Sequence, residues 1–445
     1  MRNFLFISFI IIFSGCGGKT GTDKSSVYNP VDKMGIHEEQ MKEAEAAGVI
    51  PISDLIDVAT GIDILVRDEF ELLQGKRVGV ITNHTGMTKN GLHIVDALHN
   101  AENVNLTAIF GPEHGVRGIE LGGKAVDSAV DPASGVTIFS LYGKTRRPTE
   151  DMIHALDVFV FDIQDVGARF YTYIYTMALA MEVAALNDKK FVVLDRPNPI
   201  TGNRVEGPML EEGFESFVGK YKLPVRHGMT VGELALMYKG EGWIKGAEKL
   251  DLEIVRMEGW RRELWFDQTN LPWINPSPSM RTLSTATLYP GTCFIEGTNL
   301  SEGRGTEYPF EKIGAPWVDA ELLAKEMNSL HLEGVVFEAI EFTPKAILPS
   351  VPNPKYKDEL IGGVQVRIIR RELLEPVKTG ISLVYTLHRL FPENFEWSGT
   401  VDRLYGSDKL RNSVDNGVPL ANIIENYSDG VNEFLEMRMK YLLYE

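Results

Sequence analysis

The chain has 445 residues, of which 44% are hydrophobic and 24% charged, and its formal net charge is -17. One hydrophobic core rarely holds more than about 250 to 300 residues, so we predict two folded domains. The acidic balance argues against nucleic acid as a partner, because phosphate binding requires a basic surface.

The amino terminus predicts export and a lipid anchor. Arg2 precedes an apolar run at 4–13, which leads through two small residues to Cys16. This order is typical of a secretory signal, and small residues directly before a cysteine are typical of a bacterial lipobox. The alternative is ordinary cleavage with an incidental cysteine. We predict a signal peptide over 1–16, a tether over 17–50, and a lipoprotein anchored to a bacterial membrane facing the periplasm or the cell surface.

Short apolar runs then alternate with helical segments. The runs that predict strands are 78–82, 106–110, 136–139, 158–161 and 191–194, with helices at 92–98 and 171–186. Strands that are apolar at every position are buried on both faces, as in a parallel sheet covered by helices. Beyond a Pro-, Ser- and Asn-rich stretch the two patterns mix less regularly. We therefore predict an α/β fold, with a Rossmann-like parallel-sheet catalytic domain over 51–285 and a smaller α+β auxiliary domain over 286–445.

Polar residues follow four of the predicted strands. They are Asn83 and His84, then Glu113 and His114, then Asp162, Gln164 and Asp165, and last Asp195 and Arg196. The carboxyl ends of parallel strands share one edge of the sheet, where ligands and catalytic groups collect. Helix capping and turn formation are the alternative roles for the three aspartates.

Glu113 stands on a stiff turn. Gly111 permits unusual dihedral angles and Pro112 fixes φ and donates no hydrogen bond, so together they end the apolar strand. A carboxyl group placed there suits a catalytic acid, and the alternative is a solvated loop.

The sequence lacks the motifs of several other types of functional site. The first strand leads to no G-x-G-x-x-G sequence, and 118–124 fits a phosphate loop except that Ala125 replaces the metal-binding hydroxyl. The nine histidines include no H-x-x-x-H or H-E-x-x-H pair, and no G-x-S-x-G sequence occurs. We predict no cofactor and no metal site, which leaves carboxylate chemistry.

Carboxylate chemistry is typical of glycosidic cleavage, which usually uses two carboxyl groups. Glu113 is the candidate acid. A glycine-rich segment at 296–306 supplies Glu302 and Arg304, whose neighbouring glycines let the backbone approach a ligand closely. The segment 223–228 supplies a further arginine and histidine.

Six long motifs resemble the exo-β-N-acetylmuramidase family (NamZ-type), and the resemblance runs from about residue 60 to the end. They lie at 82–86, 110–115, 161–171, 194–199, 226–229 and 290–306. The resemblance implies a Rossmann-like catalytic domain, a smaller carboxyl-terminal domain and an active site in the cleft between them. It also implies removal of N-acetylmuramic acid from the non-reducing end of peptidoglycan fragments, with Glu113 at the position of the family's proposed catalytic glutamate.

We predict site residues on this basis. The catalytic residues are Glu113, His114, Glu302 and Asp162. The substrate-binding residues are Asn83, His84, Arg117, Gln164, Arg169, Tyr171, Arg226, His227, Asn299 and Arg304. The four arginines could bind the lactyl carboxylate of muramic acid, or form structural ion pairs instead.

Two questions stay open at the level of sequence. The second catalytic group is Glu302, Asp162 or the acetamido oxygen of the substrate itself. The alternative function is a non-catalytic lipoprotein that binds muropeptides in the same cleft.

Overall fold

The computed structural model describes residues 55–113, 115–116, 129–143 and 145–445. The predicted signal peptide with Cys16, the tether, His114 and Arg117 lie outside the described residues. Among the helices that are described, none combines the length and the apolar character needed to span a membrane.

The strands of the described chain fall into three sheets. They are β1 (Arg77–Thr82), β2 (Asn105–Gly111), β3 (Ala129–Val130), β4 (Thr137–Ser140), β5 (Val158–Asp162), β6 (Lys190–Leu194), β7 (Glu206–Met209), β8 (Pro224–Arg226), β9 (Leu252–Val255), β10 (Lys312–Ala315), β11 (Val335–Phe342) and β12 (Ile361–Ile368). The orders are β3-β4-β2-β1-β5-β6-β9, β10-β12-β11 and β7-β8.

The α-helices flank these sheets. They are α1 (Gly61–Arg67), α2 (Ile94–Asn100), α3 (Glu150–Ile153), α4 (Tyr173–Leu186), α5 (Val231–Gly240), α6 (Leu283–Thr292), α7 (Ala320–Ser329), α8 (Pro376–Leu390), α9 (Val401–Tyr405), α10 (Lys409–Asp415), α11 (Leu420–Glu425) and α12 (Ser428–Arg438).

The seven-stranded sheet has the predicted Rossmann-like character. Every pairing in it is parallel except that of the edge strand β3 with β4. All five residues of β5 are buried, as expected of a strand covered on both faces. The chain starts at the central strand β1, extends to β2 and β4 on one side, and then crosses to β5, β6 and β9 on the other. The strand order therefore reverses between β1 and β5, which is where open α/β sheets commonly bind ligands.

The carboxyl-terminal region has the predicted α+β character. Its sheet is antiparallel throughout, α7 packs against it, and α8 packs against α7. Helix α8 crosses α6 closely, because Gly291 and Gly380 meet where a Cβ on either residue would overlap the opposite backbone. The predicted domain boundary between 285 and 286 lies in the first turn of α6 and stays a prediction.

Arg169 joins the two regions through the main chain. Its guanidinium donates to the carbonyls of Pro208 at 2.7 Å and Leu223 at 2.8 Å. It also donates to the carbonyls of Leu404 at 2.9 Å and Tyr405 at 2.7 Å. One buried side chain thus fixes the parallel-sheet region to the helices of the carboxyl-terminal region.

Candidate active site

A cavity of about 590 Å³ lies at the carboxyl ends of β2 and β4. Glu113 and Tyr142, which follow these two strands, line one side of it together with Thr172, which precedes α4. Residues of the carboxyl-terminal region, including Glu296 and Arg304, line the other side. The cavity therefore lies between the two regions, and its size is in the range of small-molecule sites.

Glu113 reaches this cavity because β2 ends at Gly111 and Pro112 turns the chain. The Thr172 hydroxyl donates to its Oε2 at 3.0 Å. The Tyr142 hydroxyl also hydrogen-bonds the carboxylate, and burial together with the charge of Glu113 raises the pKa of Tyr142 to about 12. Within the described residues Glu113 forms no ion pair, so its described polar partners are hydroxyl groups.

Aromatic side chains form a wall of the cavity. Tyr171 packs edge-on against Tyr173 at a centroid distance of 5.0 Å and against Tyr289 at 5.9 Å. Tyr289 in turn packs edge-on against Phe310 at 4.8 Å. Burial raises the pKa of all three tyrosines, so they stay neutral phenols. Such a wall offers an apolar surface for a sugar ring, and it includes Tyr171 from the predicted set.

A second carboxylate, Glu296, lies across the cavity from the sheet. It sits on the 3₁₀ turn Cys293–Gly297, and its Oε1 is 2.6 Å from Nη2 of Arg304. Burial raises the pKa of Glu296 and the Arg304 guanidinium opposes that shift. The same guanidinium lies 5.0 Å from the ring centroid of Phe310. Glu296 was not among the predicted site residues.

Glu302 lies behind this pair and does not line the cavity. Its side chain is 6% exposed, against 23% for Glu296. Its Oε1 is 3.7 Å from Nη1 of Arg304 and its Oε2 is 3.4 Å from Nζ of Lys355. The sequence places both glutamates in one glycine-rich segment, but in the structure Glu296 lies on the 3₁₀ turn and lines the cavity, whereas Glu302 pairs with Lys355.

Asp162 is held in an ion pair at the end of β5. Its carboxylate accepts from Nε of Arg196 at 2.5 Å and from Nη2 at 2.9 Å. Burial raises its pKa, and Arg196 opposes that shift. Nearby, Asn83 accepts from the amide and hydroxyl of Thr85, and Gln164 donates to two main-chain carbonyls. The structure therefore does not bring Asp162, Asn83 or Gln164 to the cavity.

The predicted arginines also divide into buried residues and one residue that lines the cavity. Arg169 and Arg226 are fully buried and donate to main-chain carbonyls, in the second case that of Ile200. Burial lowers the pKa of each to about 10. Of the predicted arginines that the structure describes, Arg304 alone lines the cavity.

The remaining predicted residues also have local partners. His84 Nε2 lies 2.7 Å from the carbonyl of Asn275, and burial lowers its pKa. His227 Nε2 lies 3.6 Å from Oδ2 of Asp165. Asn299 bridges the main chain of Asn394 and Glu396. Across the described part of the chain, no group of three or more acidic, histidine or cysteine side chains is arranged to hold a metal.

The cavity thus combines three carboxyl groups, those of Glu113, Glu215 and Glu296, with an aromatic wall and arginines. Glu113 and Glu296 belong to different regions of the chain and line the same cavity. Two carboxyl groups that flank a bound sugar are the usual arrangement for cleaving a glycosidic bond.

Comparison with known proteins points to the same chemistry. The sequence model "Exo-beta-N-acetylmuramidase NamZ, N-terminal" matches residues 78–284, and its C-terminal counterpart matches residues 287–444. The chain is 48% identical over 389 residues to the peptidoglycan beta-N-acetylmuramidase NamZ of Bacillus subtilis (strain 168). The alignment covers 87% of this chain and 91% of that protein.

Two solved structures share the fold, both DUF1343 family proteins from Bacteroides fragilis. One is 39% identical with a TM-score of 0.81, covering 88% of this chain and 100% of that chain. The other is 33% identical with a TM-score of 0.71, covering 87% of this chain and 99% of that chain. With family matches across both regions and a curated relative of 48% identity, the chain belongs to the NamZ family of exo-β-N-acetylmuramidases and is a glycoside hydrolase.

Proposed function

We propose that the protein removes β-linked N-acetylmuramic acid from the non-reducing end of peptidoglycan fragments, with Glu113 as the general acid. The observation that carries this proposal is the position of Glu113, which faces the cavity and is held by the hydroxyls of Thr172 and Tyr142. Membership of the family and the activity of the Bacillus subtilis relative support the substrate. A cavity of about 590 Å³ suits a terminal sugar better than a long polysaccharide.

Glu113 and Glu296 differ in their neighbours, while Glu215, the third carboxyl group of the cavity, is exposed and accepts from the amide of Gly213. Glu113 has hydroxyl groups beside it, which accept or donate whether or not the carboxyl is protonated. Glu296 has a guanidinium 2.6 Å away, which opposes but does not cancel the rise in its pKa that burial causes. We assign proton donation to the glycosidic oxygen to Glu113, which follows β2 and forms no ion pair with a described residue. We assign Glu296 to stabilising the positive charge that develops on the sugar, with Arg304 favouring its ionised form.

Glu113→Gln tests this assignment through two leaving groups. A general acid matters most for a basic leaving group, so cleavage of a muramic acid disaccharide should fall roughly 10²- to 10⁴-fold. Release of dinitrophenol from the matching β-glycoside should fall far less, because that leaving group needs no proton. The measurement is kcat/KM on both substrates.

Three other outcomes would each contradict one part of the proposal. An equal loss on both substrates would make Glu113 the nucleophile or base instead of the acid. Full activity of Glu113→Gln would remove it from the mechanism. Binding of muropeptides by the wild type without any release would favour the non-catalytic binding lipoprotein.

Glu296→Gln and Glu302→Gln form the matched pair for the second carboxylate, because both residues contact Arg304 and only Glu296 lines the cavity. Glu296→Gln should lose roughly 100-fold on both leaving groups, since it acts on the charge of the sugar. Glu302→Gln should lose much less. The reverse order would assign the charged role to Glu302.

We also propose that the chain is an exported lipoprotein anchored through Cys16. The lipobox pattern before Cys16 is the observation that supports this. The test is metabolic labelling with a fatty acid, which should mark the wild-type chain and leave Cys16→Ser unmarked. Labelling of Cys16→Ser would contradict the anchor.

A further inference from the structure

Two arginines at the cavity, Arg146 and Arg403, form no ion pair with any described residue. Both are exposed and both line the cavity. Arg304 differs, because Glu296 at 2.6 Å and Glu302 at 3.7 Å already compensate its charge. The cavity therefore presents two exposed guanidinium groups without a described ion-pair partner, and the exposed carboxylate of Glu215 belongs to the same lining.

Arg146 lies on the same wall as the proposed acid. It follows β4 by a short loop that also carries Tyr142, whose hydroxyl contacts Glu113. The charge of Arg146 acts on Tyr142, where it opposes the effects of burial and of Glu113 on the pKa of the phenol. Glu113, Tyr142 and Arg146 are thus neighbours in this order along the cavity wall.

Stacking holds the Arg146 guanidinium in place. Its Cζ lies 4.1 Å from the ring centroid of Phe217, which also lines the cavity. A guanidinium stacked by its face on an aromatic ring keeps its edge free for in-plane hydrogen bonds. That edge matches a carboxylate, which it can bind through two parallel hydrogen bonds.

The proposed substrate supplies such a carboxylate. Muramic acid carries a lactyl ether on C3, on the same ring as the anomeric carbon whose bond is cleaved. The lactyl carboxylate is therefore separated from the glycosidic oxygen that Glu113 protonates by a single sugar ring. We propose that Arg146 binds this lactyl carboxylate and so selects muramic acid over N-acetylglucosamine, an inference that rests on the proposed function.

The test varies the carboxylate and the arginine together. The substrates are the p-nitrophenyl β-glycoside of N-acetylmuramic acid and the methyl ester of its lactyl group, which removes the negative charge. Arg146→Ala should lower kcat/KM on the free acid roughly ten- to hundredfold, mainly through KM, because it removes a charge-assisted hydrogen-bonded pair. On the methyl ester, the kcat/KM of Arg146→Ala should equal that of the wild type. Arg146→Lys should recover part of the loss, since it restores the charge without the planar fork.

Arg403→Ala is the matched control, because Arg403 is also an exposed cavity arginine but lies on α9 of the carboxyl-terminal region. Its ratio of acid to ester hydrolysis should stay that of the wild type. Equal losses on acid and ester in Arg146→Ala, or an acid-specific loss in Arg403→Ala, would overturn the inference while leaving the proposed function intact. Failure of the wild type to release nitrophenol from either substrate would instead overturn the proposed function.

Discussion

Two strands of the same parallel sheet end in acidic side chains with different surroundings. At the end of β5, both carboxylate oxygens of Asp162 accept from Arg196, and the pair is buried. After β2, Glu113 is half-buried, contacts hydroxyl groups and faces a cavity. We call the first kind a locked strand end and the second an open strand end.

The difference shows where this fold has room for a ligand. Open α/β sheets commonly bind ligands where the strand order reverses, which here is between β1 and β5. That position is filled by the Asp162–Arg196 pair and by the amides of Asn83 and Gln164. The cavity lies instead toward β2 and β4, where the carboxyl-terminal region supplies the facing wall.

The largest effect expected from this comparison is on stability. Asp162→Asn leaves a buried guanidinium without its counter-charge, which should lower the free energy of unfolding by roughly 3–5 kcal/mol. Glu113→Gln should change it by less than about 1 kcal/mol, because Glu113 forms no ion pair within the described residues. Denaturant titration of both variants beside the wild type measures the difference.

The activities of the same variants complete this test. Folded Asp162→Asn should cleave muramic acid glycosides at near the wild-type rate, while Glu113→Gln should not. Unchanged stability of Asp162→Asn together with lost activity would mean that the β5 end is the open one.

A smaller effect is expected at the end of β6, where Asp195 is also locked. It accepts from the hydroxyls of Thr230 at 2.8 Å and Tyr444 at 2.6 Å, and burial raises its pKa from 3.8 to about 7. Between these two values the folded state keeps a proton that the unfolded chain has released. Raising the pH through this window therefore lowers the free energy of unfolding, and the decline stops above about pH 7.

Melting temperatures measured across this pH range check the prediction. We expect a decline of about 5 °C or less for the wild type and a flatter profile for Asp195→Asn, which carries no titrating group. The melting temperature of Asp195→Asn should still fall somewhat as the pH rises, because burial also raises the pKa of Glu206 to about 7. If the melting temperature of Asp195→Asn fell with pH as steeply as that of the wild type, the buried Asp195 carboxyl would not be the group that causes the decline.

Local sequence features predicted much of the fold. The Rossmann-like sheet and the α+β region are confirmed, because apolar strands and their breaks are encoded within a few neighbouring residues. The position of Glu113 just past β2 was predicted for the same reason, since Gly111 and Pro112 end its strand, and its catalytic role stays a prediction. The family motifs are likewise contiguous, and the family is confirmed.

Burial and pairing could not be predicted in this way. The acceptors of Arg169 lie up to 236 residues away along the chain, so nothing local distinguishes this buried arginine from one in a site. Glu296 and Glu302 have similar local composition, and the 3₁₀ turn alone separates them. Arg146 was missed because its role depends on Phe217, which belongs to another loop.

The hydrogen bonds of Arg169 to four main-chain carbonyls affect how the sequence can vary over evolution. Its partners are main-chain carbonyls at positions 208, 223, 404 and 405, which any amino acid supplies. Side chains at those positions can change while the hydrogen bonds persist. Gly406 has no such freedom, because its φ is +91° and a Cβ there would lie 2.7 Å from Nη2 of Arg169. Homologues should therefore retain Arg169 and Gly406 together, while the residues that hold the guanidinium diverge.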